Sequence, residues 1–155
     1  MATSELIANT LRKRFGFTEG RVPHDPDDMV FEKGKAGEAL LYSLLFVPEL
    51  SIVADSVLLT NGSTEIEGRF LEAKGRTPMP LDRLEVSFNR VEIPFLFAAE
   101  DFADNEEQLL AERIAEAWRR ALAAFCPDRR MVVDIVRAED NAGNIAVEFF
   151  ERRSG

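Results

Sequence analysis

Residues 105–125 constrain the fold of this chain more than any other segment. Their apolar side chains recur every three or four positions, which places them on one stripe of an α-helix about six turns long. Asp104 or Asn105 is in position to cap the start, with an acidic or amide residue three positions on, and Pro127 ends the helix. Such a stripe requires an apolar surface to cover. It consists of Leu110, Ile114, Ala117, Trp118, Ala121, Leu122 and Phe125.

Several strand-like segments precede this helix. Residues 38–47 and 51–60 are apolar on both faces, as in the central strands of a sheet. Asn61-Gly62 favours a hairpin turn, because both residues tolerate a positive φ. The turn leads into residues 64–71, where apolar and charged side chains lie on opposite sides. We therefore predict a half-exposed strand there.

Three further segments complete the predicted sheet. Apolar side chains alternate with polar ones through residues 84–97, with a change of phase at Asn89-Arg90 that indicates a bulge or a bend. Residues 131–136 and 145–150 flank a polar loop that contains a glycine. These last two segments are expected to pair as a hairpin.

A short helix is predicted at residues 4–15, because Ile7, Leu11 and Phe15 recur on one face. The predicted order of elements is α-ββββ-α-ββ. Strands joined by turns this short must be antiparallel, because a parallel crossover needs about a dozen residues. We therefore expect a single α+β domain over residues 1–155. Its antiparallel sheet of about five to six strands would be covered by the long helix of the C-terminal half.

The inventory of reactive side chains is small. With one histidine, His24, and one cysteine, Cys126, the chain can form neither an intrachain disulfide nor a zinc site of cysteines and histidines. Carboxylates at Asp25, Asp27 and Asp28 adjoin His24, but their spacing does not match a calcium loop. We expect no metal and no cofactor. Cys126 follows the carboxyl end of the long helix, where the dipole disfavours a thiolate.

The charge of the chain bears on its partners. The formal net charge is −9, which disfavours phosphate backbones and anionic membranes. No apolar stretch approaches the ~20 residues that span a bilayer, and the first residues lack the pattern of a secretory signal. These features predict a cytoplasmic protein that binds neither nucleic acid nor membrane.

An acidic stretch beside several phenylalanines is the candidate partner-binding surface. There is no Lys or Arg from residue 98 to residue 112. The helix dipole explains much of this acidity, but an apolar lip beside an acidic rim also suits a basic or amphipathic segment of another protein. The same phenylalanines fit core positions equally well. The lip comprises Phe95, Phe97 and Phe102, and the rim comprises Glu100, Asp101, Asp104, Glu106 and Glu107.

These observations predict a non-enzymatic protein-binding or adaptor module that forms a homodimer. The element order is similar, in layout alone, to that of small acidic secretion chaperones, although this chain ends in a hairpin. The alternative is a small-molecule-binding domain or a simple lyase or isomerase. Its pocket would lie between sheet and long helix, with a carboxylate as base. Burial of Asp55 or Asp134, which occur in otherwise apolar segments, would favour this alternative. Asp55 also fits a strand end.

Overall fold

The computed structural model describes residues 10–11, 13–15, 34–76, 78–96, 102, 105–137 and 144–153. Within these ranges the chain combines helices with two small antiparallel sheets. Residues 10–11 and 13–15 are helical and belong to the predicted N-terminal helix. The elements that follow are α1 (Ala36–Phe46), β1 (Leu50–Val53), β2 (Ser56–Leu59), α2 (Thr64–Arg76), α3 (Leu81–Phe88), β3 (Arg90–Glu92), α4 (Ile93–Leu96), α5 (Glu106–Phe125), β4 (Met131–Arg137) and β5 (Ile145–Glu151).

The main core lies between α5 and the three-stranded sheet. The strands of this sheet are ordered β3-β5-β4, and Val133 of β4 is paired with Phe149 of β5. Trp118 of α5 is fully buried, and its ring meets the Phe149 ring edge-on at a centroid distance of 5.5 Å. Its indole N–H donates to the Leu45 carbonyl at 2.9 Å, so the same side chain also holds the end of α1.

The long helix and the C-terminal hairpin confirm the strongest predictions. α5 begins and ends within a residue of the predicted bounds, and β4 pairs with β5 in antiparallel register. The predicted cap is only partly correct. Asn105 occupies the cap position with a φ of 69°, but its side chain forms no capping hydrogen bond within the described part of the chain.

Two predicted strands are helices, and a third, at residues 84–97, is helical in α3 and α4 and extended at β3 within its described part. The single sheet of five to six strands is therefore not confirmed. Residues 38–47 fall on α1, residues 64–71 on α2 and residues 84–88 on α3. A short apolar run does not distinguish a strand from a helix by periodicity. In α3, Leu84 and Phe88 alternate as in a strand, but they are also four residues apart and share one helical face.

The segment at residues 51–60 is a hairpin rather than one strand. Ala54 and Asp55 both have positive φ, 47° and 71°, as a two-residue hairpin turn of type I′ requires. The predicted turn at Asn61-Gly62 also has positive φ at both residues, but it connects β2 to a helix. Asn61 Oδ1 accepts a hydrogen bond from the Glu49 amide at 3.1 Å.

Asn89 joins the two sheets at the end of α3. Its side chain is fully buried and pairs with the backbone of β2 as a neighbouring strand would. Oδ1 accepts from the Leu59 amide and Nδ2 donates to the Val57 carbonyl, both at 2.8 Å. The Asn89 carbonyl accepts from the Phe149 amide of β5 at 3.2 Å. The change of phase in the sequence therefore marks a helix-to-strand junction instead of a bulge.

Candidate functional site

Polar side chains cluster where the β1–β2 turn meets the loop after α5. Arg129 contacts Asp55 Oδ1 at 2.6 Å, the Asp55 carbonyl at 2.8 Å and Glu151 Oε2 at 3.0 Å. The hydrogen bond from Arg129 holds the pKa of Asp55 below its usual range, and the same contact raises the pKa of Arg129. Asp55 is exposed, and its partner Arg129 favours the ionised carboxylate. Asp55 therefore anchors the β1–β2 turn and is not a buried base.

Glu85 extends this cluster into the protein. Its side chain is fully buried, and both of its oxygens are occupied. Oε1 lies 2.7 Å from Arg153 Nη2, and Oε2 accepts from the Glu151 amide at 3.0 Å. The bond to Glu85 is the largest cause of the raised pKa of Arg153. This arrangement fastens the end of β5 to α3 through both oxygens of Glu85.

A second charged group lies on the sheet face that does not pack against α5. Arg90, Glu148 and Asp134 are cross-strand neighbours in β3, β5 and β4. Arg90 Nη1 contacts Glu148 Oε2 at 3.2 Å, yet burial raises the pKa of Glu148 in spite of this bond. Glu148 is not among the candidate site residues predicted from the sequence, because it alternates with Ala146 and Phe150 on its face of β5 and no local pattern marks it.

A pocket of about 400 Å³ lies between the carboxyl end of α5 and β4. Arg119 donates to the Val133 carbonyl at 3.0 Å at one side of it. Burial raises the pKa of the Cys126 thiol, which donates to the Leu122 carbonyl at 3.3 Å. The lining residues are Arg119, Leu122, Ala123, Cys126, Pro127, Arg129, Met131 and Val133. They include no carboxylate, and Asp134 lies exposed outside the pocket.

Helix α1 carries the largest group of exposed apolar side chains among the described residues. None of its eleven residues is buried. Leu40 is 72% exposed and Leu41 61% exposed. The carboxyl end of α1 rests on α5, where Leu45 packs against the main core. The α1 surface consists of Leu40, Leu41, Tyr42, Leu44, Phe46 and Val47.

The predicted partner-binding residues are only partly described. Phe95 is 67% exposed on α4, whereas Phe102 is half-buried and packs against the core. Glu106 is mostly covered and lies 3.7 Å from Arg14, and Glu107 is half-buried. The lip and rim therefore remain a prediction, with Phe95 exposed as the prediction requires. Phe97, Glu100, Asp101 and Asp104 lie outside the described residues.

The described residues contain no group of three or more histidine, cysteine or acidic side chains placed to hold a metal ion. His24 and its three neighbouring aspartates, at positions 25, 27 and 28, lie outside these residues. Among the described helices, none has the length and apolar character needed to cross a bilayer.

Comparison with protein families, with curated proteins and with solved structures yields no match to this chain.

Proposed function

We propose that this chain is a non-enzymatic protein-binding module. The observation that carries the proposal is the exposure of α1. A helix that is apolar on all sides is normally buried, and monomeric proteins rarely expose apolar patches larger than a few hundred Å². The α1 surface therefore has the character of an interface.

The charge distribution along α1 supports the same function. Glu38 is its one acidic residue, and its carboxylate pairs with Lys35 at 3.1 Å just before the helix. Residues 39–48 carry no charge. An interface core is depleted in charged residues and enriched in aromatic and large apolar ones, as α1 is.

The surface around Phe95 is the proposed site for a basic or amphipathic partner. Phe95 offers an apolar anchor on α4, which contacts α5, the helix whose first turn carries Glu106 and Glu107. Negative charge beside such an anchor accelerates the approach of a basic partner, and salt screens this effect. We therefore expect that association at this surface weakens as the ionic strength rises. Charge reversal at Asp104 and Glu107 should mainly lower the on-rate.

Affinity capture with matched variants tests the proposed function. The immobilised wild-type chain is compared with Leu40→Lys on α1, with Phe95→Lys on α4 and with the control Leu71→Lys. Leu71 is 51% exposed on α2, so the control introduces the same charge at another exposed leucine on a helix. Proteins retained by wild type and control should be lost from Leu40→Lys or Phe95→Lys. Retention of the same proteins by all four chains, each checked for folding by circular dichroism, would contradict the proposal.

The pocket between α5 and β4 supports a second candidate function, the binding of a small molecule. Its apolar lining and Arg119 suit a small carboxylic acid with an apolar tail, whereas Arg129 is engaged by Asp55 and Glu151. Because no lining residue is a carboxylate, we propose binding there and not lyase or isomerase chemistry. Hexanoate should raise the melting temperature of the wild-type chain and leave that of Arg119→Ala unchanged. An equal response of both chains would exclude this pocket as the binding site.

A further inference from the structure

We propose that the α1 surface binds the α1 surface of a second copy of this chain, in an antiparallel arrangement about a two-fold axis. This inference rests on the proposed function, because it names the partner for α1. In such a contact each copy presents the same patch to the other. Three properties of α1 support the pairing: its distribution of charge, the sizes of its side chains and its exposed apolar area.

Charge favours α1 over the other exposed apolar side chains. Two copies that each carry a net charge of −9 repel one another, and an unpaired buried charge is costly. The Leu71 side chain on α2 has charged residues close to it along the helix, among them Arg69 and Glu72. The uncharged run at residues 39–48 allows two acidic copies to meet with Glu38, already paired with Lys35, at each edge of the contact.

The shape of α1 favours an antiparallel pair. Its first turn carries small residues, including Gly37, where a Cβ would meet nothing within 4 Å. Its last turn carries the large side chains of Leu44 and Phe46. An antiparallel pair places the large end of each helix against the small end of the other. An 11-residue helix is about 16 Å long, so Leu41, at its centre, would lie near the two-fold axis.

The available area suits a dimer of moderate affinity. Large apolar side chains bury roughly 100–200 Å² each when fully covered. The exposed fractions of the α1 side chains then amount to on the order of 500 Å² on each copy. A partner helix covers one face of α1, which carries Leu40, Leu41, Leu44 and Val47. Through these side chains two copies would bury on the order of 800 Å², and flanking residues would supply the rest of the ~1,200 Å² at which standard-size interfaces begin.

Sedimentation equilibrium tests the pairing directly. The wild-type chain and the Leu71→Lys control should form dimers with the same dissociation constant. Leu40→Lys should weaken dimerisation at least tenfold. Added salt should strengthen this dimer, whereas it should weaken association with the basic partner proposed for the Phe95 surface. As the salt rises from about 0.01 M to 0.15 M, the Debye length falls from about 30 Å to 8 Å, and the dimer should tighten several-fold. A monomer at every concentration would overturn the inference.

Disulfide trapping tests the position of the axis. In a Cys126→Ser background, Leu41→Cys should form a disulfide-linked dimer under mild oxidation, and the control Leu71→Cys should not. Equal cross-linking of both variants would contradict the antiparallel α1 pair. If the wild-type chain is monomeric while Leu40→Lys still loses captured proteins, the partner of α1 is a different protein. The inference then fails and the proposed function stands. If Leu40→Lys and Phe95→Lys change neither dimerisation nor capture, both the inference and the proposed function fail.

Discussion

Replacing Asn89 with alanine should cost more stability than the loss of any exposed amide in this protein. The substitution removes the acceptor for the Leu59 amide and the donor for the Val57 carbonyl, and water has no ready access there because Asn89 and Val57 are fully buried. Each buried group left without a partner costs about 1–3 kcal/mol. We therefore expect a loss of about 2–5 kcal/mol, against a total stability of about 5–15 kcal/mol for a typical domain.

Urea denaturation followed by far-ultraviolet circular dichroism measures this loss. The matched control is Asn61→Gly, which removes an exposed amide that also accepts a backbone hydrogen bond and which suits the positive φ at that position. The control should lose less than about 1 kcal/mol, the net value of an ordinary hydrogen bond. Equal losses in Asn89→Ala and Asn61→Gly would refute the role of Asn89 as the link between the two sheets.

Three further outcomes are expected. Trp118→Ala should destabilise the protein by about 3–5 kcal/mol, as for other large buried aromatics, and emission from native Trp118 resembling that of indole in water would contradict its burial. Iodoacetamide should modify Cys126 slowly in the folded chain and rapidly in urea, because burial raises the pKa of its thiol. Equal rates would contradict this. Burial also raises the pKa of Glu148 in the folded state, so the folded chain binds this proton more tightly than the unfolded chain. Stability should therefore fall as the pH rises through that raised pKa. Glu148→Gln should flatten this decrease in urea midpoints measured across the acidic range, and an unchanged slope would exclude Glu148 as its source.

The elements that can be predicted from the sequence are those whose pattern is long or is supported by more than one signal. The stripe of α5 repeats over five turns and ends at Pro127, so its period is unambiguous. The two segments of the C-terminal hairpin contain β-branched and aromatic residues on either side of a polar loop, which is typical of paired strands. Both predictions are confirmed by the structure.

The shorter segments were mispredicted because their patterns fit two periods. In α2, Ile66 and Phe70 are four residues apart, which places them on one side of a strand and equally on one face of a helix. In α1, the residues from Ala39 to Phe46 are rich in leucine and contain no β-branched side chain. Helix propensity therefore distinguishes a helix from a strand in this segment, and it favours the helix.

The candidate surfaces depended on tertiary packing, which local patterns do not specify. An apolar run such as α1 is normally assigned to a core. Its exposure depends on tertiary packing, because α1 rests on α5 by its carboxyl end and leaves its other side chains exposed. The pairing of Asp55 with Arg129 joins residues 74 positions apart in sequence. Their contact requires the turn at Ala54-Asp55, where the sequence lacks the glycine or asparagine that usually marks such a turn.

Hydrogen–deuterium exchange of the wild-type chain over a range of protein concentrations tests the central claim, that two copies of the chain pair through α1, most directly. The account predicts that amide protection across Ala36–Phe46 rises with concentration in step with dimer formation, while Thr64–Arg76 of α2 exchanges at a constant rate. Exchange across α1 that is independent of concentration, in a chain that nevertheless dimerises, would contradict the assignment of this helix as the interface.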